Sequence, residues 1–173
     1  GWLRFLRKSG AERIVGAATV PVVTVPAEGD DPSAYRTVLL ATDGRSGSRG
    51  ATDVAFEFAG AFGARLRGLY VLDERFTGSS SLRSVLDRQG RETERTLERR
   101  AARAGVRFRG ERREGSPARE VLTAADEYDA DVIVMGTRGR AGLDRLFLGS
   151  VARRVLRESP VPVLTVRSVD EGD

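Results

Sequence analysis

The stretch Asp131-Val132-Ile133-Val134-Met135-Gly136-Thr137-Arg138-Gly139, followed after nine intervening residues by Gly149-Ser150-Val151, decides how this chain folds. A short apolar run bounded by Asp and Gly reads as a strand buried on both faces, as in the middle of a parallel sheet. The glycines behind it let the backbone approach an anion closely. Gly149-Ser150 then opens a helix over 150–158, where free amides, a hydroxyl and the positive end of the helix dipole favour negative charge. Taken singly, such glycines serve equally as turn residues. The spacing is not a Walker loop, since no Gly-Lys-Ser/Thr occurs, and a dinucleotide fingerprint would follow the first strand instead.

Outward from this stretch the chain alternates strands and helices. Residues 35–42 carry Val38-Leu39-Leu40-Ala41 up to Asp43-Gly44 and read as a strand. Ser48 caps a helix with Ala51, Val54, Ala55, Phe58 and Ala59 on one stripe, ending near Gly63. A strand over 66–72 and a polar loop over 77–81 follow. A long helix over 82–104 comes next, weakened locally by Gly90 and ended by Gly105. A strand over 106–112, a helix from Ser116-Pro117 through Tyr128, and a last strand over 161–166 complete the pattern. Alternation of this kind implies right-handed crossovers and an open, Rossmann-like α/β architecture: a five-stranded parallel sheet with helices on both faces. Its ligand crevice lies beyond the carboxyl ends of the strands, where strand order reverses. Thr42-Asp43-Gly44 and Met135-Gly136 stand at two such ends.

Composition removes many chemistries. The chain of 173 residues has no Cys and no His, which excludes disulfides, ordinary zinc sites and imidazole-based nucleophile machinery. Of the 29 basic residues only Lys8 is lysine, and they stand against 25 acids. Arginines alternate with Glu and Asp along 91–113, the pattern of a solvated, ion-paired helix face rather than of a nucleic-acid surface. The longest uncharged apolar stretch, 14–27, contains Pro21 and Pro26 and falls short of the roughly 20 residues that cross a bilayer. Gly1 opens the chain with neither an initiator Met nor a signal pattern, so the reading is a cytoplasmic piece of something longer.

With these motifs in place, residues 35–167 resemble the universal stress protein family throughout. Gly136, Gly139, Gly149 and Ser150 fit, without a gap, the G-x-x-G, nine residues, G-S/T pattern of its nucleotide-binding members. Val38 to Gly44 with Ser48 and Ala51 fits the family's first strand and turn. Leu69-Tyr70-Val71-Leu72-Asp73 is similar to its second strand, with Tyr70 where a histidine often stands. Gly115-Ser116-Pro117 and Pro160-Val161-Pro162-Val163 fit its third loop and last strand. Arg45 departs from the short hydroxyl residue usual after the glycine, and Ser46 or Ser48 replaces it as the cap.

The resemblance implies ATP, with Mg, at the switch point, AMP or ADP being alternatives. Ala41, Thr42, Asp43 and Val71 then lie near adenine and ribose, with Met135 lining the base pocket. Gly136, Arg138, Gly139, Gly149, Ser150 and Val151 surround the phosphates. Read from the residues alone, Asp43 equally caps its turn, Met135 fills core, Ser150 is a helix N-cap as well as a phosphate ligand, and Arg138 and Arg140 touch phosphate or solvent.

An internal repeat occupies the N-terminus. Residues 1–25 align with 142–166 at a constant offset of 141, and ten of the 25 pairs are identical, among them Ser9/Ser150, Ala11/Ala152, Arg13/Arg154 and Val20-Pro21-Val22 against Val161-Pro162-Val163. Residues 1–30 therefore read as the last helix, from Ser9, and last strand, 20–25, of a preceding copy. The complete domain is 34–168, after a linker over 26–33, and 169–173 form an acidic tail. Lys8 stands where Gly149 does, so the first copy lacks a working phosphate loop. The strand 20–25 is expected to run antiparallel to 161–166, within the chain or by exchange with a second chain, because the last strand otherwise exposes an edge.

The reading is an ATP-binding protein with a regulatory or stress-response role, at most a slow hydrolase or autophosphorylating at Ser150, with no metal held by protein side chains. Its partners are a nucleotide and a second copy, or its own N-terminal strand. Alternatives are a regulatory module of a membrane transporter and an adenylate-transferring enzyme.

Overall fold

The computed structural model describes residues 10–27, 34–45, 48–137 and 148–167. Lys8, Ser9, Ser46, Arg138, Gly139, Arg140, most of the linker and the acidic tail lie outside the described residues. In chain order the elements are α1 (Gly10–Ala17), β1 (Val22–Thr24), β2 (Thr37–Thr42), α2 (Arg49–Phe62), β3 (Arg65–Asp73), α3 (Ser80–Ala104), β4 (Phe108–Gly115), α4 (Pro117–Glu127), β5 (Val132–Gly136), α5 (Ser150–Glu158) and β6 (Val163–Val166). A single 3-10 turn, Glu74–Phe76, follows β3.

The strands form one six-stranded sheet in the order β1-β6-β5-β2-β3-β4. Five are mutually parallel, and β1 joins antiparallel to β6 within the chain, one of the two routes the edge argument left open. The central strands bury both faces because their side chains are apolar at odd and even positions alike: Val38, Leu39, Leu40, Ile133 and Val134 have no accessible surface. One face carries Leu39, Leu69, Ile133 and Met135 under α4 and α5, with Val15 of α1 added. The other carries Val38, Leu40, Leu66, Val132 and Val134 under α2 and α3. Fully burying a Leu or Ile contributes about 1.5–3 kcal/mol, so these two layers dominate the stability. Register at the start of the sheet is fixed by Asp131, whose Oδ2 accepts the Arg36 and Thr37 amides, both at 2.7 Å.

Helix ends follow local chemistry. Gly63 and Gly105 adopt the left-handed conformation that closes α2 and α3. The strand expected over 106–112 begins at Phe108, because the Val106 amide still bonds Ala101 O in the helix closure, at 3.1 Å. The last strand begins at Val163 rather than 161, since Ser159 Oγ takes up the Val161 amide at 3.2 Å. Gly90 leaves α3 unbroken.

The arginine-rich segment is ion-paired. Arg112 of β4 reaches Asp87 at 2.7 Å and Glu94 at 3.0 Å on α3, and Arg113 reaches Glu111 at 2.6 Å and also Glu127. Burial opposes the charge on Arg113, but its bonds to Glu111 and Glu127 outweigh that and raise its pKa. The edge strand β4 is thereby guarded by charge against further strand addition. Among the described residues no helix is long and apolar enough to cross a membrane.

Candidate functional site

Strand order reverses between β2 and β5: the chain leaves β2 towards β3 and β4, and returns on the other side through β5 and β6. In a sheet of this order the ligand crevice belongs at the carboxyl ends of β2 and β5. Pairing sets Ala41 opposite Met135, Thr42 opposite Tyr70, which is one residue before Val71, and Gly136 opposite Val166. Ala41, Val71, Met135 and Val151 belong to one apolar cluster, Met135 buried and the other three partly open. Ala41 and Val71 keep part of their apolar surface open near the carboxyl ends of β2 and β3.

The turn after β2 is tightly built. Asp43 Oδ1 accepts the Arg45 amide at 3.1 Å, so the carboxylate does cap its turn, and the Asp43 carbonyl accepts Gln89 Nε2 of α3 at 3.1 Å. Gly44 sits at φ +70°, and a Cβ there would lie 2.1 Å from Thr93 Oγ1. Only glycine fits between the turn and α3. Ser48 stands at the start of α2 but does not cap it, contrary to expectation. Its Oγ donates to Arg45 O at 2.8 Å and contacts Thr42 Oγ1 at 2.9 Å, bracing the turn instead of the helix amides.

Two backbone bonds fix Thr137, just after β5. The Thr137 amide donates to Val166 O at 3.0 Å, and the Gly149 amide to Thr137 O at 2.8 Å. The second of these bonds sets Gly149, at the start of α5, beside Thr137, which follows Gly136. Gly149, not Ser150, is the N-cap, so Ser150 is the first helical residue, exposed, with its hydroxyl free of the capping role expected for it. Glycine offers no cap side chain, and the first-turn amides of α5 have no partner within the helix. An anion bound there would meet those amides and the helix dipole. Arg138 and Gly139 of the same pattern lie outside the described residues.

Three supports were missed in the sequence. Gln89 bonds the first turn from α3 and Thr93 lies against its Gly44, and no local pattern announces them. Arg153 of α5 donates from Nη2 to Leu148 O at 3.1 Å, fastening the loop's end, while its Nε lies 3.9 Å from Glu12 of α1. A cavity of about 710 Å³ lies between α2 and α3, lined by Thr42, Ser48, Thr52, Gln89, Thr93 and Arg100 among others. Of the expected site residues it touches only Thr42. Among the described residues no three carboxylates gather to hold a metal ion.

The family model described as the universal stress protein family matches residues 34–167. The chain belongs to that family. A universal stress protein of Methanocaldococcus jannaschii is 36% identical over 140 residues, covering 77% of this chain and 82% of its own. A universal stress protein of Mycolicibacterium smegmatis is 33% identical over 182 residues, covering 95% of this chain but only 57% of its own length. A solved universal stress protein in complex with cAMP superposes with a TM-score of 0.62 at 30% identity, covering 79% of this chain and all of its own.

Proposed function

We propose that this universal stress protein binds an adenine nucleotide, ATP foremost and AMP or ADP in competition, at the β2/β5 crevice, and acts in the cytoplasm as a regulator in the stress response rather than as a catalyst. The observation that carries the reading is the Gly149–Thr137 bond, which sets Gly136 near Gly149, Ser150 and Val151 at the start of α5, whose first-turn amides have no partner within the helix. In this reading the phosphates take the first-turn amides, the Ser150 hydroxyl and the loop residues Arg138 and Gly139. The base lies over Ala41, Val71 and Met135, with Thr42 and Asp43 beside the ribose. The family member holding cAMP lends weight to an adenine ligand. A binding role is favoured over hydrolysis because the Asp43 carboxylate is engaged with the Arg45 amide of its own turn rather than poised as a base that activates water.

The N-terminal segment is read in the same proposal as the end of a preceding copy. Its apolar residues are exposed where their equivalents are buried: Ile14 is 64% exposed against 0% for Val155, and Val25 61% against 7% for Val166. A complete first copy would cover them, and the longer mycobacterial relative leaves room for one.

Gly149→Asp tests the site. Gly149 lies at φ −60° and ψ 153°, which any residue adopts, and Asp is a favoured N-cap. The variant should keep or gain up to about 1 kcal/mol of stability while its carboxylate takes the amides and repels phosphate. Calorimetry with ATP, ADP, AMP and cAMP should show binding to the parent and at least a roughly hundredfold loss in the variant, a loss of two charge-assisted bonds or more. Equal affinities, or no binding to the parent, would refute the assignment.

A further inference from the structure

The contact between the N-terminal segment and the complete domain is two-fold symmetric in its own sequence. At the offset of 141, Val22, Val23 and Thr24 are the equivalents of Val163, Leu164 and Thr165. The ladder pairs Val22 with Thr165, Val23 with Leu164 and Thr24 with Val163. Val23 thus faces its own equivalent, and the two outer pairs exchange. The side chains repeat the exchange: Thr24 Oγ1 donates to Val163 O at 3.2 Å and Thr165 Oγ1 to Val22 O at 3.1 Å.

One position on this axis breaks the symmetry in charge. Glu12 of α1 is the equivalent of Arg153 of α5, and the two face each other, Oε2 to Nε, at 3.9 Å. Glu12 is only 4% exposed. A symmetric interface sets each residue on the axis against itself. Two α5–β6 units meeting this way would therefore set Arg153 against Arg153, and two α1–β1 units would set Glu12 against a Glu12 that the fold buries. Only the mixed pairing sets opposite charges together.

We propose that Glu12 and Arg153 are the specificity determinants of this surface: they make the α5–β6 face accept the α1–β1 helix-strand unit and reject the α5–β6 face of a second copy. The attraction of one partly exposed pair is small, and discrimination comes mainly from the repulsion built into the wrong pairing. The proposal rests on the repeat and the register, and stands or falls independently of nucleotide binding.

The test uses the full chain in four versions: unmodified, Glu12→Arg, Arg153→Glu, and both together. Hydrogen exchange reads the amides of 22–24 and 163–165, with β2 and β5 amides reporting that the domain is folded. Each single change should lower protection of the β1–β6 ladder at least about tenfold, because it sets two like charges against each other where Glu12 is only 4% exposed. The exchanged pair should restore it to within about threefold, since neighbouring effects that are coupled do not add. Unchanged protection in the single variants, or a double variant as exposed as the two losses multiplied, would overturn the proposal. If Arg153→Glu does not fold, Glu12→Arg against Glu12→Gln decides: the arginine should lose at least about threefold more, and equal losses overturn it. Sedimentation of Glu12→Arg reads the rejection directly. The variant should stay monomeric, and a dimer formed through its vacated β6 edge would contradict the proposed exclusion.

Discussion

Replacing Gly90 with alanine sets helix propensity against packing, and the structure decides the sign. Gly90 lies in the interior of α3, where alanine is normally better by about 0.8–1.0 kcal/mol. A Cβ on Gly90, however, would lie 2.8 Å from Tyr70 Cδ1, 2.9 Å from Tyr70 Cε1 and 3.1 Å from Arg112 Cδ. The Tyr70 ring is 3% exposed, packed with Leu72 and Leu86, and cannot swing into solvent. Forcing one more carbon into a packed site costs about 1–3 kcal/mol. The net expectation is a loss of about 1 kcal/mol, or a fall in Tm of about 2–4 °C at this chain length. Gly60→Ala on α2 is the control, because nothing lies within 4 Å of its Cβ position; it should raise stability by up to about 1 kcal/mol. Urea unfolding followed by circular dichroism, with the slope unchanged, measures both. Adding Tyr70→Leu should remove most of the difference between the two sites. If Gly90→Ala stabilises the protein as much as Gly60→Ala does, the close approach of α3 to Tyr70 is wrong.

Gly44→Ala should cost about 2–4 kcal/mol, from a left-handed backbone plus the contact with Thr93 Oγ1. Pairing it with Thr93→Ala should recover the contact part only, and a loss under about 0.5 kcal/mol on urea unfolding would contradict the turn geometry. Stability should be nearly flat between about pH 6 and 8, within about 2 °C in Tm, because the chain has no imidazole or thiol to titrate there. Asp73 raises Arg75, and Glu111 and Glu127 raise Arg113 against the effect of burial. Raised cations contribute fully below their unfolded-state pKa and are lost only in strong alkali, so these pairs add no slope in that window. Calorimetric scans across the range check this, and a Tm change above about 5 °C would contradict it.

Local rules made most of the fold legible. Runs such as Val38 to Leu40 and Val132 to Met135 allow no solvent-facing side, and Gly63, Gly105 and Ser116-Pro117 mark helix ends through backbone preferences that neighbours barely modify. The start of α5 at Ser150 was legible for the same reason. Hydroxyl and carboxyl groups were harder, because each has several partners within reach. Ser48 had both helix amides and the Thr42–Arg45 turn available, and the turn won. The backbone carbonyl of Asp43, not its carboxylate, meets Gln89, 46 residues away in the chain, a contact without periodicity to reveal it. Gly90 looked like a weakness in a helix, since propensity describes the helix alone and not the ring of Tyr70 beneath it.

The N-terminal segment shows the same division from the other side. Its sequence copies residues 142–166 closely enough to specify a helix and a strand, and both form in the described part, Gly10–Ala17 and Val22–Thr24. Sequence identity cannot copy surroundings, however. Val155 and Leu164 are core residues because α5 and β6 lie against a complete sheet, whereas Ile14 and Val23, at the same positions of the repeat, lie at its border, 64% and 47% exposed. What holds the segment is then the antiparallel ladder, the two exchanged threonine bonds, and Val15, which enters the core beneath α5 at 2% exposure. Val15 is the equivalent of Leu156, which is only partly buried in the complete copy. The segment thus attaches through the outward face of its repeat and leaves the inward face open. A repeat that presents both faces in one chain can have its edge strand covered from one side while its apolar interior still requires a partner from the other.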